Sequence, residues 1–364
     1  MVGTAHSNNG ISVQTITFDR TTAVPPPTYP NTFSSLPVGV ALPKPTIFVF
    51  DKNYHNARVQ QASAGFECEV AANTSVAANY LFVKGDDLPR STDINIGPAR
   101  AVTFTVAGTG EQLPHYQFDP GPFRNFLRII SFQSTAESTY HGVTIQLNRR
   151  FAKHFQATAA YTVGRVIDTV PDATAVVPAS SDDVKFASNP ADFNVDRTVG
   201  NNDQRHRFVV SGVWDTDGLA EDKEGWGKAL TGGWTFSVIL STQSGQPYSA
   251  YTGQVDINRD GNNRNDSVPG TRRNQFRLPT TTSLDPSVSR EIRLAGQAKL
   301  KLILAAFNIL NSDNFSGVRN TLYTVSGFTL TRLPDRAQDP LTGFGAFTSS
   351  TGPRILQLGA KVIF

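Results

Sequence analysis

Two neighbouring stretches decide the fold: Val143-Thr144-Ile145-Gln146-Leu147-Asn148, and Phe155-Gln156-Ala157-Thr158-Ala159-Ala160-Tyr161-Thr162-Val163. In each, apolar or aromatic side chains stand at every second position and polar or small ones between them. A period of two puts successive side chains on opposite faces of an extended chain, so each stretch predicts a strand with one apolar face. The two are separated by only a few residues around Lys153-His154, which predicts a tight hairpin.

The same alternation recurs on both sides. Ala62, Ala64, Phe66, Cys68 and Val70 alternate with Gln61, Ser63, Gly65, Glu67 and Glu69. Phe208, Val210, Gly212 and Trp214 repeat the pattern, as do Trp234, Phe236, Val238 and Leu240. The last segment sets Leu356, Leu358, Ala360, Val362 and Phe364 against Gln357, Gly359 and Lys361. Strands are expected near 11–19, 58–70, 73–84, 126–151 (long, with a break near Ser138), 154–166, 205–216, 232–244, 285–296, 298–310 and 353–364. Short links follow residues 70, 151 and 296. Long ones span 85–125, 167–204, 245–284 and 311–352, and 217–231 is intermediate. The Pro-rich segment 20–57, with Pro25, Pro26, Pro27, Pro30, Pro37, Pro43 and Pro45, reads as an extended loop.

Segments of about ten alternating residues, joined by short turns at one end and long loops at the other, are the pattern of a transmembrane β-barrel. Soluble sandwiches use shorter strands of about 5–6 residues. The expected fold is all-β: an antiparallel transmembrane β-barrel with about ten strands present, short periplasmic turns and long extracellular loops. All of 1–364 is taken as one part of such a barrel. Aromatics near strand ends, Phe151, Phe155, Tyr161, Trp214, Trp234, Tyr248 and Tyr251, are candidates for its interfacial girdles.

Composition agrees. Of 364 residues 39% are hydrophobic and only 17% charged, below the roughly one quarter usual in soluble proteins. Phe is frequent (24) while Met and Cys occur once each, and the lone Cys68 excludes an internal disulfide framework or a Cys-rich metal site. A net charge of +3, scattered along the chain, gives no footing for nucleic acid. No run of 18 apolar residues exists, so no transmembrane helix is expected; a barrel would show none. The start, Met1-Val2-Gly3-Thr4, lacks the features of a signal peptide, and the chain is expected to be a fragment of a longer exported protein.

One segment carries a metal-ligand spacing. Asp256, Asn258 and Asp260 followed by Gly261 match the opening of an EF-hand loop, three oxygen donors two apart and a glycine for the turn. Position twelve is Ser267, with Asp266 one place early, so loop 256–267 is a candidate Ca²⁺ site through Asp256, Asn258, Asp260 and Asp266. Asn, Asp and Gly also dominate ordinary turns, so a solvated Asx-rich turn is the alternative. The six histidines are dispersed, no nucleophile elbow is present, and no enzyme activity is expected. Asp203 to Arg207 reads as a hydrogen-bonded cluster at a strand's rim. Arg272, Arg273 and Arg277 suit an anionic ligand or a solvated face, and Asp182-Asp183 reads as loop charge.

The residues also carry a resemblance. Val49-Phe50-Asp51-Lys52-Asn53; Tyr140-His141-Gly142-Val143 through Phe151; Ala160 through Asp168; Asp203-Gln204-Arg205-His206-Arg207-Phe208; Gly232-Gly233-Trp234 with Gln243-Ser244-Gly245-Gln246-Pro247-Tyr248; and Ala306-Phe307-Asn308-Ile309-Leu310-Asn311 resemble the barrel of Oar-like TonB-dependent receptors. The resemblance implies outer-membrane localisation and uptake of an extracellular ligand such as an oligosaccharide, peptide or metal chelate. It also implies an N-terminal plug and a TonB box, neither of which this chain contains, so TonB would act only through the missing part and the chain alone should not transport. The terminal Phe364 resembles the signal read by the barrel-assembly machinery. Half of a 22-stranded barrel has two bare edges and needs its missing half or another partner. The alternatives are an adhesive or structural surface protein of the outer membrane, and a secreted glycan-binding β-sandwich.

Overall fold

A computed structural model describes residues 27–28, 30–33, 37–38, 44–170, 186–253, 255–264, 266–294 and 298–364. Nine strands form one continuous antiparallel wall in sequence order: β1 (Arg58–Ala71), β2 (Thr74–Asp93), β3 (Arg128–Ala152), β4 (Phe155–Asp168), β5 (His206–Asp215), β6 (Trp234–Gln243), β7 (Thr281–Arg293), β8 (Lys299–Phe307) and β9 (Ile355–Ile363). Each pairs with its neighbours in the chain, and β1 and β9 form the two edges. Two short strands complete this sheet. Thr46–Phe50 runs parallel along the start of β3, and Thr198–Val199 lies against the end of β4.

Register explains why alternation in the sequence becomes a face of the wall. Phe155 stands opposite Trp214, Trp214 opposite Phe236, Phe236 opposite Val288, Val288 opposite Leu304, and Leu304 opposite Leu358. Two levels further along, Leu147 faces Ala159, Ala159 faces Val210, and Val210 faces Leu240. The outward residues are exposed, Ile145 at 54% and Leu358 at 81%. Large apolar groups laid out in rows across six strands face lipid rather than a protein core. The opposite face is polar: Thr144 and Thr162 share a hydroxyl hydrogen bond at 2.9 Å, and the Gln146 amide donates to Asn148 Oδ1 at 2.9 Å. On that face Gly142 is paired with Gly164, and the Tyr140 ring lies across both. A Cβ on Gly164 would come within 2.8 Å of the Tyr140 hydroxyl.

The expected strands at 58–70, 73–84, 126–151, 154–166, 205–216, 232–244, 285–296, 298–310 and 353–364 are all present, with shifted ends; the one expected at 11–19 lies outside the described residues. β3 is unbroken at Ser138. The irregularity falls on β2 opposite, where the register shifts between Gly85 and Leu88 and Asp87 takes a positive φ of 58°. β7 begins at Thr281 and ends at Arg293, earlier at both ends than the alternation suggested.

The short links Ala71–Thr74, Ala152–Phe155 and 293–299 lie at one end with the terminal Phe364, and so does the connection 216–233, which folds into α1 (Asp217–Ala220) and α2 (Gly225–Thr231). The four long connections all emerge at the other end. They contain more structure than loops. Ile96–Val106 and Gln112–Pro120 form a hairpin, Tyr323–Ser326 and Thr329–Arg332 form another, and a parallel pairing joins the two. Phe315–Val318 pairs with Phe347–Ser350. The main buried cluster is here, not in the wall: Phe104, Val106, Ala250, Ile257, Val268, Leu322, Tyr323, Leu330 and Phe344. These connections therefore form a packed canopy over one end of the wall.

Candidate functional site

The canopy is fastened to the wall by buried charge. The Arg90 guanidinium, 2% exposed, donates to the backbone oxygen and hydroxyl of Thr169, both at 2.9 Å, and lies 3.7 Å over the Phe193 ring. Arg273, 7% exposed, pairs with Asp168 at the end of β4 and donates to the Asp196 carbonyl at 3.0 Å. The Asp196 carboxylate accepts the Ser188 N–H at 2.9 Å and its hydroxyl at 2.5 Å. Asp203, 1% exposed, accepts from Val166 N–H at 2.9 Å, from Arg277 at 2.6 Å and from Arg205 at 3.3 Å. Its cluster lies at the rim of β4 and β5, where the sequence placed it. Arg273 is buried and spent on Asp168, not solvated, whereas Arg277 pairs with Asp203 but stays exposed, as does Arg272. Asp182-Asp183 lies outside the described residues.

The aromatics divide in two. Phe155, Trp214 and Phe236 form a row near the short-turn end of the wall, the Trp214 and Phe236 rings stacked at 5.5 Å. Arg290 lies 4.8 Å over Trp234 beside them. Nearer the canopy, Tyr80 shares a hydrogen bond with His141 at 2.8 Å and Tyr161 one with His206 at 2.7 Å. Tyr248 and Tyr251 are not girdle residues. Tyr248 stacks on Phe276 at 5.6 Å and packs against the canopy core. Tyr251 bridges Ser267 and Thr321 through its backbone. Phe364 ends the chain just beyond β9, 95% exposed, at the short-turn end.

The candidate cation loop lies in the canopy and is held on two sides. Phe118 N–H donates to the Asn258 carbonyl at 2.7 Å, Gln117 donates to the Ile257 carbonyl at 2.9 Å, and the Asn258 amide donates to the Ser188 carbonyl at 3.2 Å. Inside the loop, Asp256 accepts the N–H of Asp260 at 3.2 Å and of Gly261 at 3.0 Å, while Asp260 Oδ1 accepts that of Asn262 at 2.8 Å. Asp266, 2% exposed, accepts the Asn258 N–H at 3.2 Å through Oδ1, and its Oδ2 has no hydrogen-bond partner. Burial first, and then the carboxylates of Asp260 and Asp256, push the Asp266 carboxyl up to about 9. Burial likewise raises Asp256. The fold thus brings Asp256, Asn258, Asp260 and Asp266 into one loop. Among the described residues, no group of three or more His, Cys, Asp or Glu side chains is gathered tightly enough to hold a metal ion as it stands.

Nothing in the spacing of the sequence announced Arg90, Asp196 or the pairing of Arg273 with Asp168. Those two partners stand 105 positions apart, and each looks like an ordinary loop charge.

A continuous up-and-down wall with a lipid-facing apolar side and one-sided loops defines an outer-membrane β-barrel protein. The chain belongs to the Outer membrane beta barrel domain family, whose model matches residues 2–272. A secreted β-sandwich is thereby set aside: the wall is one sheet with apolar rows outward, not two sheets packed face to face. No curated protein matches the chain. Among solved structures it is similar to the outer membrane transporter YddB of Escherichia coli, at 8% identity and a TM-score of 0.49, over 89% of this chain and 35% of that one. The chain therefore spans about a third of that protein's length.

Proposed function

We propose that the chain forms part of an outer-membrane receptor for TonB-dependent uptake, with the canopy as the surface that captures an extracellular ligand. The observation that carries this reading is the canopy itself. All four long connections leave one end of the wall; three share a buried core and the fourth is tied to it by hydrogen bonds from Tyr116 and Asn258 to the Ser188 carbonyl and from Arg273 to the Asp196 carbonyl, so they present a fixed surface rather than four separate loops. A fixed surface binds without first ordering itself, which removes a large part of the cost of association. A wall whose edges β1 and β9 have no partner strand among the described residues suits a share in a larger barrel, and the Oar-like resemblance supplies the receptor class and the TonB coupling. An enzymatic role is not part of this reading, and Phe364 is taken as the handle for the barrel-assembly machinery.

The test uses the intact gene product in its native cells. It should fractionate with the outer membrane, shift its gel mobility on boiling, and be retained by the immobilised periplasmic domain of TonB. Outer-membrane recovery without TonB retention would sink the uptake reading and favour a surface protein that binds partners and transports nothing.

A further inference from the structure

The structure assigns a calcium site to the canopy loop 256–266, with oxygens from Asp256, Asn258, Asp260 and Asp266 as ligands. The chemistry is that of a hard divalent cation: three carboxylates and one amide oxygen, with neither nitrogen nor sulfur among them. The first three donors stand two residues apart, and Gly261 follows with a positive φ of 83°, the conformation a sharp ligand loop requires at that place. Asp256 already accepts the Gly261 N–H across this turn, so its carboxylate is turned inward over the loop.

Spacing alone would describe any Asx-rich turn. The independent observation is Asp266. It is 2% exposed, its Oδ1 accepts the Asn258 N–H of the same loop at 3.2 Å, and its Oδ2 has no hydrogen-bond partner. Buried polar oxygens are almost always satisfied, and one left bare in a loop that carries two further carboxylates calls for a cation. Calcium suits the set better than magnesium, because it accepts irregular coordination by mixed carboxylate and carbonyl oxygens while magnesium demands a near-ideal octahedron. The three carboxylates do not yet close on one point, so binding must tighten the loop. Asn258 ties the loop to Phe118 and Ser188, and the tightening reaches two neighbouring segments of the canopy.

Arg259 and Arg264 are exposed on this loop and give trypsin two cleavage sites inside it. The experiment digests the intact protein in native outer membranes after washing with EGTA, with magnesium held constant to keep the lipopolysaccharide layer intact. Calcium is then added back up to about 10 mM, beyond the millimolar range of extracellular sites. Cleavage after Arg259 and Arg264, read by mass spectrometry, should slow about tenfold or more. Asp266→Asn and Asp256→Asn should each lose this protection while cutting at the parent rate without calcium. Heat-modifiable mobility of each variant verifies that the wall has formed, and the second variant serves if the first does not assemble. Cleavage indifferent to calcium, or protection that persists in both variants because the ion acts on lipid instead, would overturn the assignment. The outcome does not depend on TonB coupling.

Discussion

At the scale of single residues, the chain carries charge where a barrel can use it, at the two rims. Arg273 and Asp168 form a pair that is nearly dry, with side chains 6% and 15% exposed. Removing one member of such a pair leaves the other charge uncompensated and costs about 3–5 kcal/mol. Arg273→Leu should therefore loosen the canopy around 186–203 and speed its proteolysis, while boiling-dependent mobility, which reports the wall, stays as in the parent. At the other rim, His154 sits in the hairpin turn between β3 and β4. Its Nδ1 lies 2.6 Å from Asp215 and its Nε2 3.2 Å from Glu221. The hydrogen bond to Asp215 is the largest cause that raises its pKa above 6.5. A raised folded-state pKa means that the contact's contribution is complete below about 6.5 and fades as pH rises through the folded value. Titrating the His154 ring by NMR in bilayer discs should give a midpoint above 6.5, lowered in Asp215→Asn. A midpoint at or below 6.5 in the parent would show that the turn is not held this way.

At the scale of the strand, one physical fact separates what the sequence discloses from what it hides. A wall strand meets lipid on one face and polar groups on the other, so its alternation is strict and survives in the sequence. Hence nine wall strands were legible from periodicity, with errors at their ends and in the break expected near Ser138, which belongs instead to β2 opposite. The canopy strands answer to no such rule. Phe104, Val106 and Leu330 point into a local core made by segments distant in the chain, and Pro98, Pro114 and Pro120 punctuate their hairpin like a loop. Tyr248 was misplaced among the girdle aromatics for the same reason. The cation loop was half legible. The ligand types and the glycine were visible at once, but the burial of Asp266 depends on the canopy around it. The face assignment has a direct test. Ile145 points outward at 54% exposure, and Gln146 inward toward Asn148. An arginine on the lipid face costs about 2–4 kcal/mol near the bilayer midplane. Leu147, two residues beyond Ile145 and opposite Ala159 in the middle of the apolar band, faces outward too, so Leu147→Arg should lower folding stability in bilayers by that much, while Gln146→Arg changes it little. Equal losses from the two would mean that this part of β3 does not face lipid.

At the scale of the whole molecule, two wall strands, β2 and β3, are far longer than a membrane is thick. β3 has 25 residues, whereas about 9–11 suffice to cross. The outward residues say which part crosses. Apolar outward positions begin at the Phe155, Trp214 and Phe236 row and end at the Tyr80–His141 and Tyr161–His206 pairs, above which β3 turns outward Thr139 and Glu137. From Phe155 to Val163 the rise along the strand is roughly 27 Å at about 3.4 Å per residue. A tilt near 40° reduces this to about 20 Å, close to the apolar band of about 25 Å in such barrels. The three tryptophans test the placement, because they occupy two different places relative to that band. Trp214 and Trp234 belong to the belt at the short-turn boundary, while Trp226 stands on α2, beyond it and 86% exposed. Variants that keep one tryptophan at a time should separate cleanly in bilayers. Lipids brominated near the top of the acyl chain should quench Trp214 and Trp234 strongly, and aqueous iodide should quench Trp226. Bromines at the bilayer centre should quench all three weakly, since none lies at the midplane. If Trp214 answered instead to central bromines, the band would have to slide toward the short turns. The Tyr–His pairs would then stand in water, and the membrane would cross the wall nearer its short-turn end.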